Sequence, residues 1–187
     1  MKTIEKSFKA TYESKRSKFI CHLVPIAEYE GLQERLKAEN PKSNHTVYAL
    51  RYLNAFDQIV ENSSDDGEPK GAAGVPSLNV LRGEELIDVA ILTVRYFGGI
   101  KLGVGGMARA YASAVKEVIA SADITPYEKE YSYAFESSYS DVQKRAYLLN
   151  KLEIFKVERH FLGDRVSWSI IANEEKLNKF KEKICMR

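Results

Sequence analysis

Cysteine is nearly absent: Cys21 and Cys185 stand near opposite ends of 187 residues. Two are too few for a disulfide scaffold, which excludes the small secreted class and favours a reducing compartment. Long apolar runs are lacking too, and no stretch approaches the roughly 20 residues needed to cross a bilayer. The opening residues, MKTIEKSFKATYESKRSKF, are charged throughout and have no signal-peptide core. Neither sign of charge dominates, with 28 Lys and Arg against 26 Asp and Glu. No global basic field therefore announces nucleic acid, although local patches are compatible with that balance. His22, His45 and His160 are scattered without metal-ligand spacing and read as packed or surface histidines. These absences describe a cytoplasmic protein with no membrane partner, no cofactor and no metal site, long enough for one domain or two small ones.

What is present falls into two halves. SKFICHLVPI alternates as a strand, with Phe19, Cys21 and Leu23 on one side and Ile20 and His22 on the other. AEYEGLQERLKAEN places Tyr29, Leu32 and Leu36 on one helical stripe that ends at Asn40-Pro41. HTVYALRYL reads as a second strand, Glu61 to Gly74 as a long polar loop, PSLNVL as a short strand or a helix start, and LIDVAILTVRYF as the central strand. MARAYASAVKEVIASA puts Met107, Tyr111, Ala114, Val115, Val118, Ile119 and Ala122 on one helical face. Thr125-Pro126 marks a boundary. Beyond it KEYSYAFES, SDVQKRAYLLNKL, EIFKVERHF, DRVSWSIIA and NEEKLNKFKEKI read as β-α-β-β-α, with a hairpin turn at Leu162-Gly163-Asp164 and Asn173 as an N-cap. That order is most of a ferredoxin-like unit, which normally closes with a fourth strand.

Three stretches could carry chemistry. Of eleven glycines, five crowd into VRYFGGIKLGVGG, Val94 to Gly106. Neither a P-loop nor a dinucleotide fingerprint fits their spacing. Two readings remain: glycines that let the loop turn tightly, or an anion site at the start of the following helix, with Gly103, Gly105 and Gly106 baring its N–H groups beside Lys101 and Arg109. In SSDDGEPKGAAGVP, Asp65, Asp66 and Glu68 are candidates for acid–base work or cation binding, set against the commoner role of carboxylates as turn formers. Finally, Lys15, Arg16, Lys18, Arg51, Arg95, Lys101 and Arg109 all fall in the first domain, before Thr125-Pro126. If helices cover one sheet face, Thr93, Arg95 and Arg51 would line the other beside tyrosines, a surface suited to RNA backbone and base stacking. The plain alternative is a solvated sheet face.

SKFI at Ser17, NHTVYALR around His45, DDGEPKGAAGVP from Asp65 and VRYFGGIKLGVGGMARAY from Val94 together resemble the YigZ/IMPACT family over nearly the whole chain. The sequence departs at Asn44, Ala72 and Met107, where the family more often has Ala, Thr and Leu, and in a shortened end at CMR that leaves the last strand missing or very short. The resemblance implies an N-terminal two-layer α/β domain like the second domain of a small-subunit ribosomal protein. It also implies a ferredoxin-like C-terminal domain similar to one in elongation factor G. Its eukaryotic relatives are translation regulators that act by binding another protein. The same N-terminal fold occurs in small-molecule kinases, whose motif this chain lacks.

The expectation is an α+β protein of two domains, 1–125 and 126–187. Its leading function is non-catalytic binding of RNA or the ribosome in the regulation of translation, through an open face (Arg51, Arg95) and the glycine loop (Lys101, Gly103, Gly105, Gly106, Arg109). One alternative is an enzyme or binding protein for a phosphorylated small molecule, using that loop with Asp65, Asp66 or Glu68. The other is a protein-binding adaptor using the open edge of the second sheet.

Overall fold

The structure, a computed structural model, describes residues 1–41, 43 and 45–185. The departure expected at Asn44 and the final Met186 and Arg187 lie outside them. The chain divides into two compact units, Met1–Tyr127 and Glu128–Arg187.

In chain order the first unit contains β1 (Lys2–Thr3), β2 (Phe8–Ser14), β3 (Ser17–Pro25), α1 (Tyr29–Glu39), β4 (His45–Leu53), β5 (Ile59–Ser64), α2 (Gly74–Gly83), β6 (Val89–Tyr96), α3 (Val104–Ala120) and β7 (Thr125–Pro126). Five strands form one sheet in the order β2-β3-β6-β4-β5, every neighbouring pair antiparallel. β2 and β3 are joined at Lys15 and Arg16, whose φ values of 45° and 65° are the left-handed pair that a two-residue hairpin turn requires. The charged opening segment thus conceals a strand: Phe8, Ala10 and Tyr12 pack toward the core while Lys9, Thr11 and Glu13 face solvent. β5 likewise occupies residues read as loop, and PSLNVL falls within α2.

β6 is the central strand, buried from Val89 through Arg95. Val89 and Ile91 meet Leu78 and Leu81 of α2 and Tyr111, Ala114, Val115 and Val118 of α3. Ala90, Leu92 and Val94 point the other way, against Leu32 and Leu36 of α1. The two layers expected from the resemblance hold for α2 and α3 over the sheet, and α1 adds cover on the opposite face. β7 pairs with β1, and the Tyr127 N–H donates to the Met1 carbonyl. Those contacts carry residues 126 and 127 into the first unit, so it ends two residues beyond the expected boundary.

The second unit holds β8 (Glu130–Ser138), α4 (Val142–Lys151), β9 (Lys156–Leu162), β10 (Arg165–Asn173) and α5 (Glu174–Cys185). Its sheet runs β8-β10-β9, antiparallel throughout, with three strands among the described residues. Val166, Trp168, Ile170 and Ala172 of β10 bury one face under Val142 and Leu149 of α4 and Leu177 and Phe180 of α5. Phe135 stacks on Trp168 with centroids 5.5 Å apart, and the indole N–H donates to Ser137 Oγ at 3.0 Å. Asn173 caps α5, its Oδ1 accepting the Lys176 N–H at 2.9 Å. The arrangement is α+β in both units.

One half-buried histidine couples this fold to pH. His22 on β3 has its pKa lowered from 6.5 to about 4, first by burial and then by the charges of Lys9 and Arg35. Between those values the unfolded chain takes up a proton that the folded ring refuses, so stability should decline as pH falls from 6.5 toward 4. His22→Leu should flatten that interval of a urea-denaturation pH series. An unchanged slope would remove His22 from the account.

Candidate functional site

The end of β6 sits in register with the start of β4, His45 facing Arg95 across the ladder. The loop from Asp65 to Ala73 closes over that end. Its shape is set by Asp65, whose carboxylate accepts N–H groups from Gly71, Ala73 and Gly74 at 2.8–2.9 Å and so closes the loop into the start of α2. Partial burial acts to raise the Asp65 pKa, but the three donors outweigh it and hold the group below its ordinary 3.8. Asp66 Oδ2 accepts the Thr46 N–H at 2.6 Å, and the Asp66 carbonyl meets His45 Nδ1 at 2.6 Å. Both aspartates are therefore structural ties. The turn-forming role expected of such residues is the one their bonds fulfil.

Glu68 is different. It is only 7% exposed, and its Oε1 accepts Arg95 Nη1 at 2.6 Å and the Tyr111 hydroxyl at 2.9 Å. Its Oε2 lies 3.9 Å from His45 Nε2. Burial first, then the Glu68 charge, push the Tyr111 phenol far above its ordinary pKa, so it stays a donor. The Arg95 guanidinium lies 5.6 Å from the Phe19 ring centroid and 5.7 Å from that of the half-exposed Phe97. Its Nε, however, has no hydrogen-bond partner, the single such buried side-chain atom among the described residues.

These groups border a cavity of about 440 Å³ whose wall includes His45, Glu68, Arg95, Phe97, Lys101 and Met107. The glycine loop forms its other side. Gly98 is required there, since a Cβ would overlap the Arg16 carbonyl and the Ser17 nitrogen. Gly103 is the N-cap of α3 at φ 72° and leaves the first turn without a side-chain cap. Gly105 and Gly106 lie inside that turn, because α3 begins at Val104 rather than at Met107. A Cβ at either would meet nothing closer than 3.4 Å. Backbone geometry does not demand glycine at these two positions.

The open basic face does not exist. Arg95 and Thr93 lie on the sheet face that α2 and α3 cover, and Arg95 is 6% exposed in its ion pair. Arg51 shares that face at the far end of β4, held by Glu61 at 2.9 Å and the Leu86 carbonyl at 2.8 Å. Tyr48, Tyr52 and Tyr96 pack on the opposite face with α1. Alternation along β6 assigned the sides correctly, but the covered side was the reverse of the one expected. Lys101, Gly103, Gly105, Gly106 and Arg109 do come together at the start of α3. His45, Phe97 and Tyr111 were missed as site residues. An arginine at an inward position of the most apolar strand was the signal that a buried carboxylate had to meet it. Among the described residues no cluster of His, Cys, Asp and Glu could hold a metal.

Arg95→Met would strand Glu68 in the core, a loss of about 3–5 kcal/mol in urea denaturation. Asp65→Ala should cost about 1–3 kcal/mol by leaving backbone donors unpaired. Because the folded pKa of Asp65 is depressed, its contribution is present above 3.8 and vanishes as pH falls through the folded value. The two melting curves should converge in acid. A constant gap at all pH values would refute the charge-dependent part of the assignment.

The Impact N-terminal domain family model matches residues 15–119. An IMPACT family member from Bacillus subtilis, YvyE, is 31% identical over 170 residues, covering 89% of this chain and 77% of that protein. A Thermus thermophilus IMPACT family member is 33% identical over 156 residues, 83% of each chain. Among solved structures, a crystal structure of a hypothetical protein superposes with a TM-score of 0.69 at 25% identity, covering 98% of this chain and 90% of the other. With its first unit matched almost throughout, the chain belongs to the IMPACT family.

Proposed function

We propose that the protein is a non-catalytic regulator of translation that binds RNA or the ribosome through the loop end of its first unit. One observation carries the reading. Lys15, Arg16, Lys18, Lys101 and Arg109 are all exposed, and none has an ion-pair partner among the described residues. The β2–β3 turn and the glycine loop meet because Gly98 packs on the Arg16–Ser17 backbone, and the same loop leads into α3, whereas Lys18, paired with Tyr96, is on the opposite face of the sheet. Phe97 offers a half-exposed ring among them. Unpaired cations around an aromatic face suit phosphate contacts and base stacking. An uncapped helix N-terminus adds partial positive charge. Family membership supports the translational setting, since the resemblance extends to eukaryotic translation regulators.

The test is ribosome co-sedimentation and RNA binding across a salt series. Lys101→Glu with Arg109→Glu should weaken binding across all sequences and lower the salt slope by about 1.4, two contacts at roughly 0.7 each for single strands. Undiminished binding in the folded double variant would refute this surface. Association that ignores salt and survives nuclease would favour the adaptor reading, for which the unpaired edge of β9 is the supporting feature.

A further inference from the structure

The cavity between the Asp65–Ala73 loop and the glycine loop has features that a purely external phosphate contact does not use. His45 Nδ1 faces the Asp66 carbonyl at 2.6 Å, and a carbonyl can only accept, so Nδ1 carries the proton. In the neutral ring Nε2 is then an acceptor, on the cavity wall and 3.9 Å from Glu68 Oε2. In that form the two acceptors are too far apart to bond each other and are free to accept a donor from outside. Arg95 Nε is the converse, a buried donor without an acceptor. A hydroxyl can donate and accept at once, and so suits the acceptors on the cavity wall.

The opposite rim is suited to an anion. Lys101, Gly103 and Val104 border the cavity, and the first turn of α3 is uncapped. Gly105 and Gly106 each cost that turn about 1 kcal/mol against alanine, with no steric or φ requirement to justify them. Their lack of side chains leaves the N–H groups of the first turn bare beside the cavity that Gly103 and Val104 border. Because Glu68 is neutralised by Arg95, the Lys101 charge and the helix end leave this rim positive. Phe97, Leu102 and Met107 supply an apolar wall, and about 440 Å³ fits a ligand of nucleotide size.

We infer that this cavity binds a ribose phosphate unit, its phosphate at the α3 N-terminus and Lys101, a ribose hydroxyl at His45 and Glu68, and its base against Phe97. The inference rests on the phosphate-binding reading given above. The unit is either a free nucleotide or the phosphorylated end of an RNA.

Calorimetric titration of the full chain separates these. AMP should bind at least tenfold more tightly than adenosine, than inorganic phosphate and than 2′,3′-dideoxy-AMP. If RNA is the source, a 5′-phosphorylated 12-mer should exceed its 5′-hydroxyl counterpart by a similar factor. Gly105→Asp puts a carboxylate in the first turn, where it favours the helix and offsets the positive charge that draws the anion, a Cβ there lying 3.7 Å from Arg109 Nη1. It should melt no lower than the parent and lose AMP or the terminal-phosphate preference, and Lys101→Ala should weaken them several-fold. Equal binding of AMP and dideoxy-AMP, equal binding of inorganic phosphate, or undiminished binding by folded Gly105→Asp would overturn the assignment. Binding of none of the probes would do so as well. RNA bound without regard to its terminal phosphate or to Gly105→Asp would overturn the cavity assignment while leaving the external surface standing. AMP binding without any RNA or ribosome association would do the reverse.

Discussion

The contact on which the first unit depends is the buried carboxylate of Glu68, held at one oxygen by Arg95 and Tyr111. The three residues come from a loop, the central strand and the long helix, and one carboxylate oxygen joins them. A charge pair in that position is a poor source of stability, because desolvating both ions offsets much of their attraction. Its value lies in placement. With Glu68 fixed, the Asp65–Ala73 loop can lie only one way over the sheet end, and the second oxygen of the carboxylate is left toward His45. The same fixation holds the Arg95 guanidinium between two rings, with Nε lacking an acceptor.

Asp65 and Asp66 make that placement feasible from the loop side. Asp65 gathers three N–H groups and Asp66 joins Thr46 and His45, so several of the loop's backbone groups are paired without drawing on Glu68. A run of three carboxylates thus divides into two that organise backbone and one that enters the core. Their spacing resembles that of a metal or acid–base site, but both oxygens of Asp65 and Oδ2 of Asp66 are turned to amide protons. The surfaces proposed for binding lie beside this run, at the histidine that it holds and at the start of α3.

Much of the fold was legible. The inward stripe Phe19, Cys21 and Leu23, the buried face of α3 and the Asn173 cap all follow from local periodicity and capping chemistry. The β2 strand was not recognised because lysines and glutamates on its solvent face mask an alternation that Phe8, Ala10 and Tyr12 keep. The site was legible only in part. Lys101, Arg109 and the glycines are local to one loop and could be grouped from sequence. The Glu68–Arg95–Tyr111 cluster spans 43 residues, and its existence depends on which sheet face α3 covers. Alternation assigns residues to sides but is silent on which side a helix takes, so Arg95 was expected in solvent. His45 looked unremarkable for the same reason: its partners are a loop carbonyl 21 residues on and a carboxylate beyond it.

Near-neutral composition also concealed the basic surface, and the cause is uneven pairing. Elsewhere cations meet carboxylates: Lys6 with Asp123, Arg51 and Arg82 with Glu61, Lys156 with Glu130, Arg165 with Glu136. At the loop end five exposed cations lack such partners among the described residues, and the one buried carboxylate is spent on Arg95. Local potential is set by unpaired charge within about 8–10 Å rather than by totals over the chain. A net charge of +2 can therefore coexist with a cluster of unpaired cations at one end of the sheet. The fold concentrates that charge where the β2–β3 turn, the end of β6 and the start of α3 are held together by one glycine's lack of a side chain.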